Sequence, residues 1–315
     1  RGFPPEEGER ITQVPSETVI ETARAIANAR HATLSMYTGL EYTNSGVQNI
    51  RAVYTLFAIT GHLDVAGGTL LRVRAKGPYQ RTDIEPPTDP KPIGYDTYPL
   101  FCEITRGAHF MEAPRAILHD DPYPLRALII GGGSIQTAYP NPDLWKKCFA
   151  KLDLLVVSDR FMTADGQFAD FVLPATTYYE NFGYQKSPGY IQARQRVIEP
   201  LGEARSDYSI FVDLARRLGY GDLFPEDEAS LFEFVLENHP VGIDAIRENP
   251  EGVRFGKPEQ YKKYEKGLLR SDGQPGFETP SGKLEIASGL LAKHGYDALP
   301  IYVEPTEGPL ANPAL

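Results

Sequence analysis

The sequence predicts an α/β fold: a doubly wound parallel sheet with helices on both faces. Three observations carry that expectation. Two apolar runs, LRALII (125–130) and DLLVV (153–157), are continuous rather than alternating, as strands buried on both faces must be. Between them stands a strong helix start, Asn141-Pro142-Asp143, so the order is strand, helix, strand. The first strand runs into Gly131, Gly132 and Gly133 at its carboxyl end, where open parallel sheets bind ligands.

The elements follow in order. Ser16 after Pro15 suits an N-cap, and Val19, Ile20, Ala23, Ile26 and Ala27 recur at helical spacing. ATLSMY (32–37) reads as a short buried strand and GLEYTNSG (39–46) as a loop. Val47, Ile50, Tyr54 and Phe57 mark the next helix, completing an α/β segment within residues 1–76. Residues 77–124 hold nine prolines in 48 positions with little periodicity, which predicts a functional loop or a boundary.

Order returns in residues 125–239, which read as a nucleotide-binding-like α/β domain. In the helix start, Asn caps, Pro fits the first helical position and Asp suits the positive end of the dipole. Leu144, Trp145, Cys148 and Phe149 form that helix's inner face, and ADFVLPA (169–175) carries a further strand. SDYSIFVDLARRLG is a helix capped by Ser206 and stopped by Gly219, with another around 231–236. Residues 240–315 are a mixed segment ending in a proline-spaced linker.

Composition narrows the function. Of 315 residues, 41% are hydrophobic and 23% charged, an ordinary globular balance. The net charge of −10 argues against nucleic acid as a partner, and no apolar run is long enough to predict direct membrane insertion. The two cysteines, Cys102 and Cys148, stand far apart, so they predict buried thiols rather than a disulfide, iron–sulfur or zinc site. The six histidines never fall at i, i+4 spacing, and no metal-binding cluster is expected. The chain opens RGFPPEEGER without an initiator Met; both ends are expected to be cuts through a longer polypeptide, which leaves the compartment open.

The glycines admit three readings: a nicotinamide dinucleotide site, a site for another large phosphorylated ligand, or a structural turn. The nicotinamide fingerprint G-x-G-x-x-G leads straight into a helix, whereas here the predicted helix starts ten residues after Gly131. Asp159, closing the next strand, is the acid that a dinucleotide fold uses to grip a ribose or base.

KLDLLVVSDRFMTADGQFADFVLPATTYYENFG (151–183) resembles the signature segment of the molybdopterin oxidoreductase superfamily, the dimethyl sulfoxide reductase and formate dehydrogenase type. Asp159, Thr163, Ala169, Asp170, Leu173, Pro174, Glu180 and Gly183 occupy the family's places in order. SMYTGLEYTNSGVQNIRAVYTLFAITGHLDVAGG, IIGGGSIQT, RVIEPLGEARSDYSIFVDLARRLGY and GFETPSGKLEI are similar to further family segments, so the likeness covers most of residues 16–295.

The resemblance implies an enzyme binding two molybdopterin guanine dinucleotides around one Mo or W. Gly131, Gly132, Gly133 and Gln136 would then face the nucleotide, and Asp159 would hydrogen-bond guanine or ribose with Thr163 nearby. A carboxylate accepts two parallel N–H bonds from a guanine edge. Thr38, Gly39 and Tyr42 would lie on the pterin-contacting loop, Tyr42 replacing a common Gln. Within LRVRAKGPYQR, Arg74 falls where the formate dehydrogenase branch brings an Arg to the metal, and is the catalytic candidate. The family's iron–sulfur region and metal ligand would precede this chain and its C-terminal barrel would follow, with an electron-transfer subunit as a possible partner. Departures are GGGS where Asn-Pro or Asp-Pro is common, and SPGYIQ where the family has G-R-x-Q, which leaves Gln192. A non-redox hydratase or transhydroxylase, and a non-catalytic nucleotide-cofactor module, stand as alternatives.

Overall fold

The computed structural model describes residues 2–73, 89–187, 189–237, 239–256, 258–305, 307–308 and 311–312. Arg74 therefore lies outside the described residues. The chain divides into two units, Arg1–Ala75 with Pro258–Leu315, and Lys76–Lys257.

The first unit contains α1 (Pro5–Thr12), α2 (Ser16–Asn28), α3 (Thr38–Glu41) and α4 (Gly46–Ile59). Helix α2 begins at Ser16 as its sequence predicts, although Pro15 holds the cap position and no side chain caps it. Helix α4 buries Phe57, but Val47 points outward and is exposed. The distant segment is stitched to α4 by Arg51, whose Nη2 donates to the carbonyls of Ile286 and Ala298 at 2.9 and 3.0 Å.

Residues 32–37 carry no regular secondary structure, although their exposure alternates residue by residue as in a strand. The predicted strand nevertheless does not form, because no neighbouring backbone among the described residues pairs with it. The Leu34 amide instead donates to Thr69 Oγ1 at 2.9 Å.

In the second unit the proline-rich stretch corrects its reading as irregular chain. It contains α5 (Pro99–Thr105) and α6 (Ala113–His119), with a 3-10 turn at Phe110–Glu112. Pro99 and Pro114 sit in the first turns of these helices, where the missing N–H costs nothing. Prolines spaced as helix starters looked like prolines that break helices.

Next come β1 (Ala127–Gly131), α7 (Ile135–Ala138), α8 (Pro142–Lys151), β2 (Leu154–Asp159) and β3 (Phe171–Pro174). The three strands are parallel in the order β1-β2-β3, with Gly131 opposite Ser158 and Asp159 opposite Pro174. Alternate residues serve opposite faces. Ile130, Leu155 and Val157 pack with Trp145, Cys148 and Phe149 of α8 and with Ile117 of α6. Ile129, Leu154, Val156 and Leu173 face α9 (Asp207–Arg217) across a cleft of about 560 Å³. Helices on both faces explain why the strands are continuously apolar. Asn141 caps α8 by accepting the Leu144 amide at 3.2 Å, and Ser206 caps α9 by accepting the Ser209 amide at 3.2 Å.

A second, antiparallel sheet is formed by β4 (Gly183–Ser187), β5 (Tyr190–Arg194) and β6 (Val253–Arg254). It packs on Phe232 and Ile246 from α10 (Glu228–Val235) and α11 (Ile243–Glu248). The remaining helix, α12 (Gly289–Lys293), belongs to the first unit.

Candidate functional site

The carboxyl edge of the parallel sheet gathers most of the predicted residues of the second unit. Gly131 closes β1, and Gly132 turns with φ +62, a left-handed conformation that costs glycine little. Its amide donates to the Ser158 carbonyl at 3.0 Å, holding the bend against the end of β2. A Cβ added at Gly131, Gly132 or Gly133 would meet nothing within 4 Å, so the backbone there is bare and open.

The chain then enters α7, an element absent from the sequence reading. It puts a short helical turn four residues after Gly131, ahead of α8, which starts at the predicted Asn141 cap. Its start is organised by Asp165, which is fully buried and accepts the Ile135 and Gln136 amides at 2.6 and 2.9 Å. Gln136 thus joins the edge through its backbone, while its side chain donates to the Pro142 carbonyl at 3.3 Å. Ser134 Oγ, between the glycines and α7, is buried without a hydrogen-bond partner among the described residues.

Asp159 lies one residue beyond the glycine register, half-buried, at the end of β2. Its Oδ1 accepts the Phe161 amide at 3.1 Å, a local turn that fixes the carboxylate's direction. Its Oδ2 receives no hydrogen bond from the described residues. Phe161 and Met162 follow with 73% and 64% of their surfaces exposed, offering flat apolar contact beside the carboxylate. Thr163 is not aimed outward: its Oγ1 accepts the Gly166 amide at 3.2 Å and shapes the loop that carries Asp165. Asp170 is structural, accepting the Leu155 amide at 2.7 Å.

Thr38, Gly39 and Tyr42 stand together in the first unit. Thr38 and Gly39 open α3, and Tyr42 closes it by donating its amide to the Thr38 carbonyl at 2.9 Å. The Tyr42 side chain is 82% exposed. Gln192 is committed to local structure, donating to the Pro250 carbonyl at 2.7 Å and accepting from Tyr190 at 3.0 Å. Both cysteines are buried and unpaired, with burial pushing their thiols upward in pKa. Among the described residues, no group of three or more His, Cys, Asp or Glu side chains is placed to hold a metal ion. No helix among them is long and apolar enough to cross a membrane.

Sequence reasoning missed Asp165, although its buried carboxylate orders the edge. Its only local signal is an Asp-Gly pair, which reads as a turn; its partners lie about thirty residues upstream.

A family model for molybdopterin oxidoreductases matches residues 101–217, spanning both the sheet and its carboxyl edge. The probable oxidoreductase YoaE of Bacillus subtilis is 28% identical over 310 residues, covering 95% of this chain and 42% of the relative. The dimethyl sulfoxide reductase DmsA of Escherichia coli is 29% identical over 315 residues, covering 91% and 38%. Residues 101–217 form a molybdopterin oxidoreductase domain. Another relative in this superfamily comparison, acetylene hydratase of Syntrophotalea acetylenica, is 32% identical over 214 residues, covering 65% and 28%. The solved structure of acetylene hydratase from Pelobacter acetylenicus shares the fold, with a TM-score of 0.82 at 23% identity over 99% of this chain and 46% of that one. The chain spans less than half the length of these relatives.

Proposed function

We propose that this chain is the central cofactor-binding portion of an enzyme that uses two molybdopterin guanine dinucleotides around one Mo or W. The observation that carries the reading is the carboxyl edge, where an open triple-glycine bend stands one register step from the half-buried carboxylate of Asp159. The residues suit a guanine nucleotide: bare backbone for close approach, a free carboxylate oxygen for a guanine edge, and the orphaned Ser134 hydroxyl for a further polar contact. When bound, the metal centre supplies oxygen-atom transfer or two-electron oxidation, which amino-acid side chains do not perform.

This chain's residues bind and orient. Gly131, Gly132 and Gly133 admit the nucleotide, Asp159 holds its base or ribose, and Phe161 covers it. Gln136 contributes the amide end of the bend, and Thr163 supports it indirectly through Asp165. Thr38, Gly39 and Tyr42 serve the pterin from the first unit, and Arg74 serves the metal's surroundings. The four segments 1–76, 77–124, 125–239 and 240–315 would act as parts of a polypeptide that also carries an iron–sulfur region, a metal ligand and a C-terminal barrel. Without them the chain is inactive in this reading.

The test is acid release of nucleotide from the purified full-length protein, followed by chromatography and metal analysis. The reading expects GMP with Mo or W, and protein purified with metal but no GMP would sink it. A non-redox second reading is favoured by the similarity to acetylene hydratases. Hydration of an unsaturated substrate without consumption of an electron donor would select it, whereas dye-coupled turnover would select electron transfer.

A further inference from the structure

We propose that Arg194 and Tyr178 form a binding site for a phosphate group at the carboxyl side of β3. Arg194 ends β5, opposite Gly183 at the start of β4. Its guanidinium carbon lies 3.8 Å from the centre of the Tyr178 ring, so one cationic face is covered by an aromatic side chain that is itself largely exposed. Nη2 donates to Asn181 Oδ1, and the Asn181 amide is oriented in turn by donating to Thr176 Oγ1 at 3.0 Å. Thr176 follows Ala175, whose amide donates to the Asp159 carbonyl at 3.1 Å. A short relay of bonds therefore fixes the guanidinium relative to the strand end that carries Asp159.

Space for the cation is built in. A Cβ at Gly183 would stand 2.6 Å from Arg194 Nη2, so a side chain there would displace the guanidinium. The charge, however, is not compensated. No carboxylate among the described residues pairs with Arg194, and its Nε is buried without a partner. The acids on neighbouring segments are spent elsewhere. Glu180 accepts the Thr177 and Leu201 amides at 2.6 and 2.8 Å, and Glu228 accepts the Phe182 amide at 3.2 Å. In a chain of net charge −10, a half-buried, pre-oriented and unpaired guanidinium is an anion receptor by default. With one face stacked on Tyr178, Nη2 held by Asn181 and Nε buried, Nη1 is the donor left to meet a phosphate oxygen.

The identification of the phosphate's bearer as a guanine nucleotide rests on the function proposed above; the anion site itself does not. Calorimetric titration of the cofactor-free full-length protein with pyrophosphate, GDP and guanosine separates the two. Arg194→Gln is expected to weaken pyrophosphate and GDP by about tenfold or more and leave guanosine unchanged, with Arg194→Lys falling between. Asp159→Asn is expected to weaken guanosine and GDP and spare pyrophosphate. Loss of pyrophosphate alone in Arg194→Gln, with GDP unaffected, would keep the site but assign it to a free phosphorylated substrate. Wild-type protein that ignores pyrophosphate, or an Arg194→Gln variant that binds it normally, overturns the proposal. If Arg194→Gln fails to fold, Tyr178→Leu replaces it, and unchanged pyrophosphate affinity in that variant is equally fatal.

Discussion

The Lys263 ammonium lies 2.7 Å from Asp64 Oδ1, with both side chains almost sealed from solvent. The pair joins positions 199 residues apart, and Asp64 also accepts the Lys263 amide at 2.6 Å and the Leu71 amide at 3.1 Å. Lys263 donates further to Glu259 and to the Gln260 carbonyl. The first unit is thus closed by one saturated polar knot.

Breaking that knot leaves a buried charge alone. Lys263→Met is expected to cost about 3–5 kcal/mol, measured by denaturant unfolding, and the Asp64→Asn/Lys263→Met double variant less than the sum of the single changes. Burial opposes the ammonium charge, but hydrogen bonds to Asp64 and Glu259 outweigh it and raise the Lys263 pKa. Its stabilisation is therefore complete below the ordinary lysine range and disappears as pH rises through the raised value. Alkaline unfolding of the wild type should be steeper than that of the double variant.

Asp165→Ala strips the start of α7 of its buried acceptor. Two amides lose their partner at once, so a loss of about 1–3 kcal/mol is expected in thermal unfolding. GDP affinity should fall with it, because the same turn carries Ser134 and Gln136. Unchanged stability would mean that water replaces the carboxylate at no cost.

Gly132→Ala separates conformation from space. Nothing crowds an added Cβ there, yet φ is +62, so the substitution should destabilise by about 1 kcal/mol. Alanine at Gly131 or Gly133 carries no such backbone penalty. If all three variants weaken GDP binding while only Gly132→Ala lowers the melting temperature, the bend serves the ligand.

Asp159→Asn retains an oxygen for the Phe161 amide and should alter stability by less than about 0.5 kcal/mol. Guanosine affinity should nevertheless drop about tenfold, since the second carboxylate oxygen is lost. Equal losses in folding and binding would make this side chain structural.

Glu180 gives the acid limb. Hydrogen bonds from the Thr177 amide first, and from the Leu201 amide next, hold its carboxyl below the usual range. The stabilisation is full above the ordinary carboxylate range and is lost as pH falls through the lowered value. Glu180→Gln should flatten the acid side of the stability–pH curve; an unaltered curve would place that titration elsewhere.

The sequence by itself determined what short stretches can specify. Uninterrupted apolar strands required cover on both faces, Asn141-Pro142-Asp143 set the start of α8, and Ser206 set the start of α9. The ordered run from Asp159 to Gly183 identified the family. Each of these is decided by neighbours a few residues away: a cap by the amides just after it, a buried strand by its own side chains.

Tertiary structure decided the rest. Residues 32–37 have a strand's pattern but no partner backbone among the described residues, and a strand exists only when one is supplied. The proline-rich segment became helical where its prolines fell in first turns. Asp165, Asp64 and Arg194 look in sequence like any exposed acid or base. What distinguishes them is which amide, ammonium or aromatic ring the fold brings to them from tens or hundreds of residues away, and closing such loops leaves no local mark.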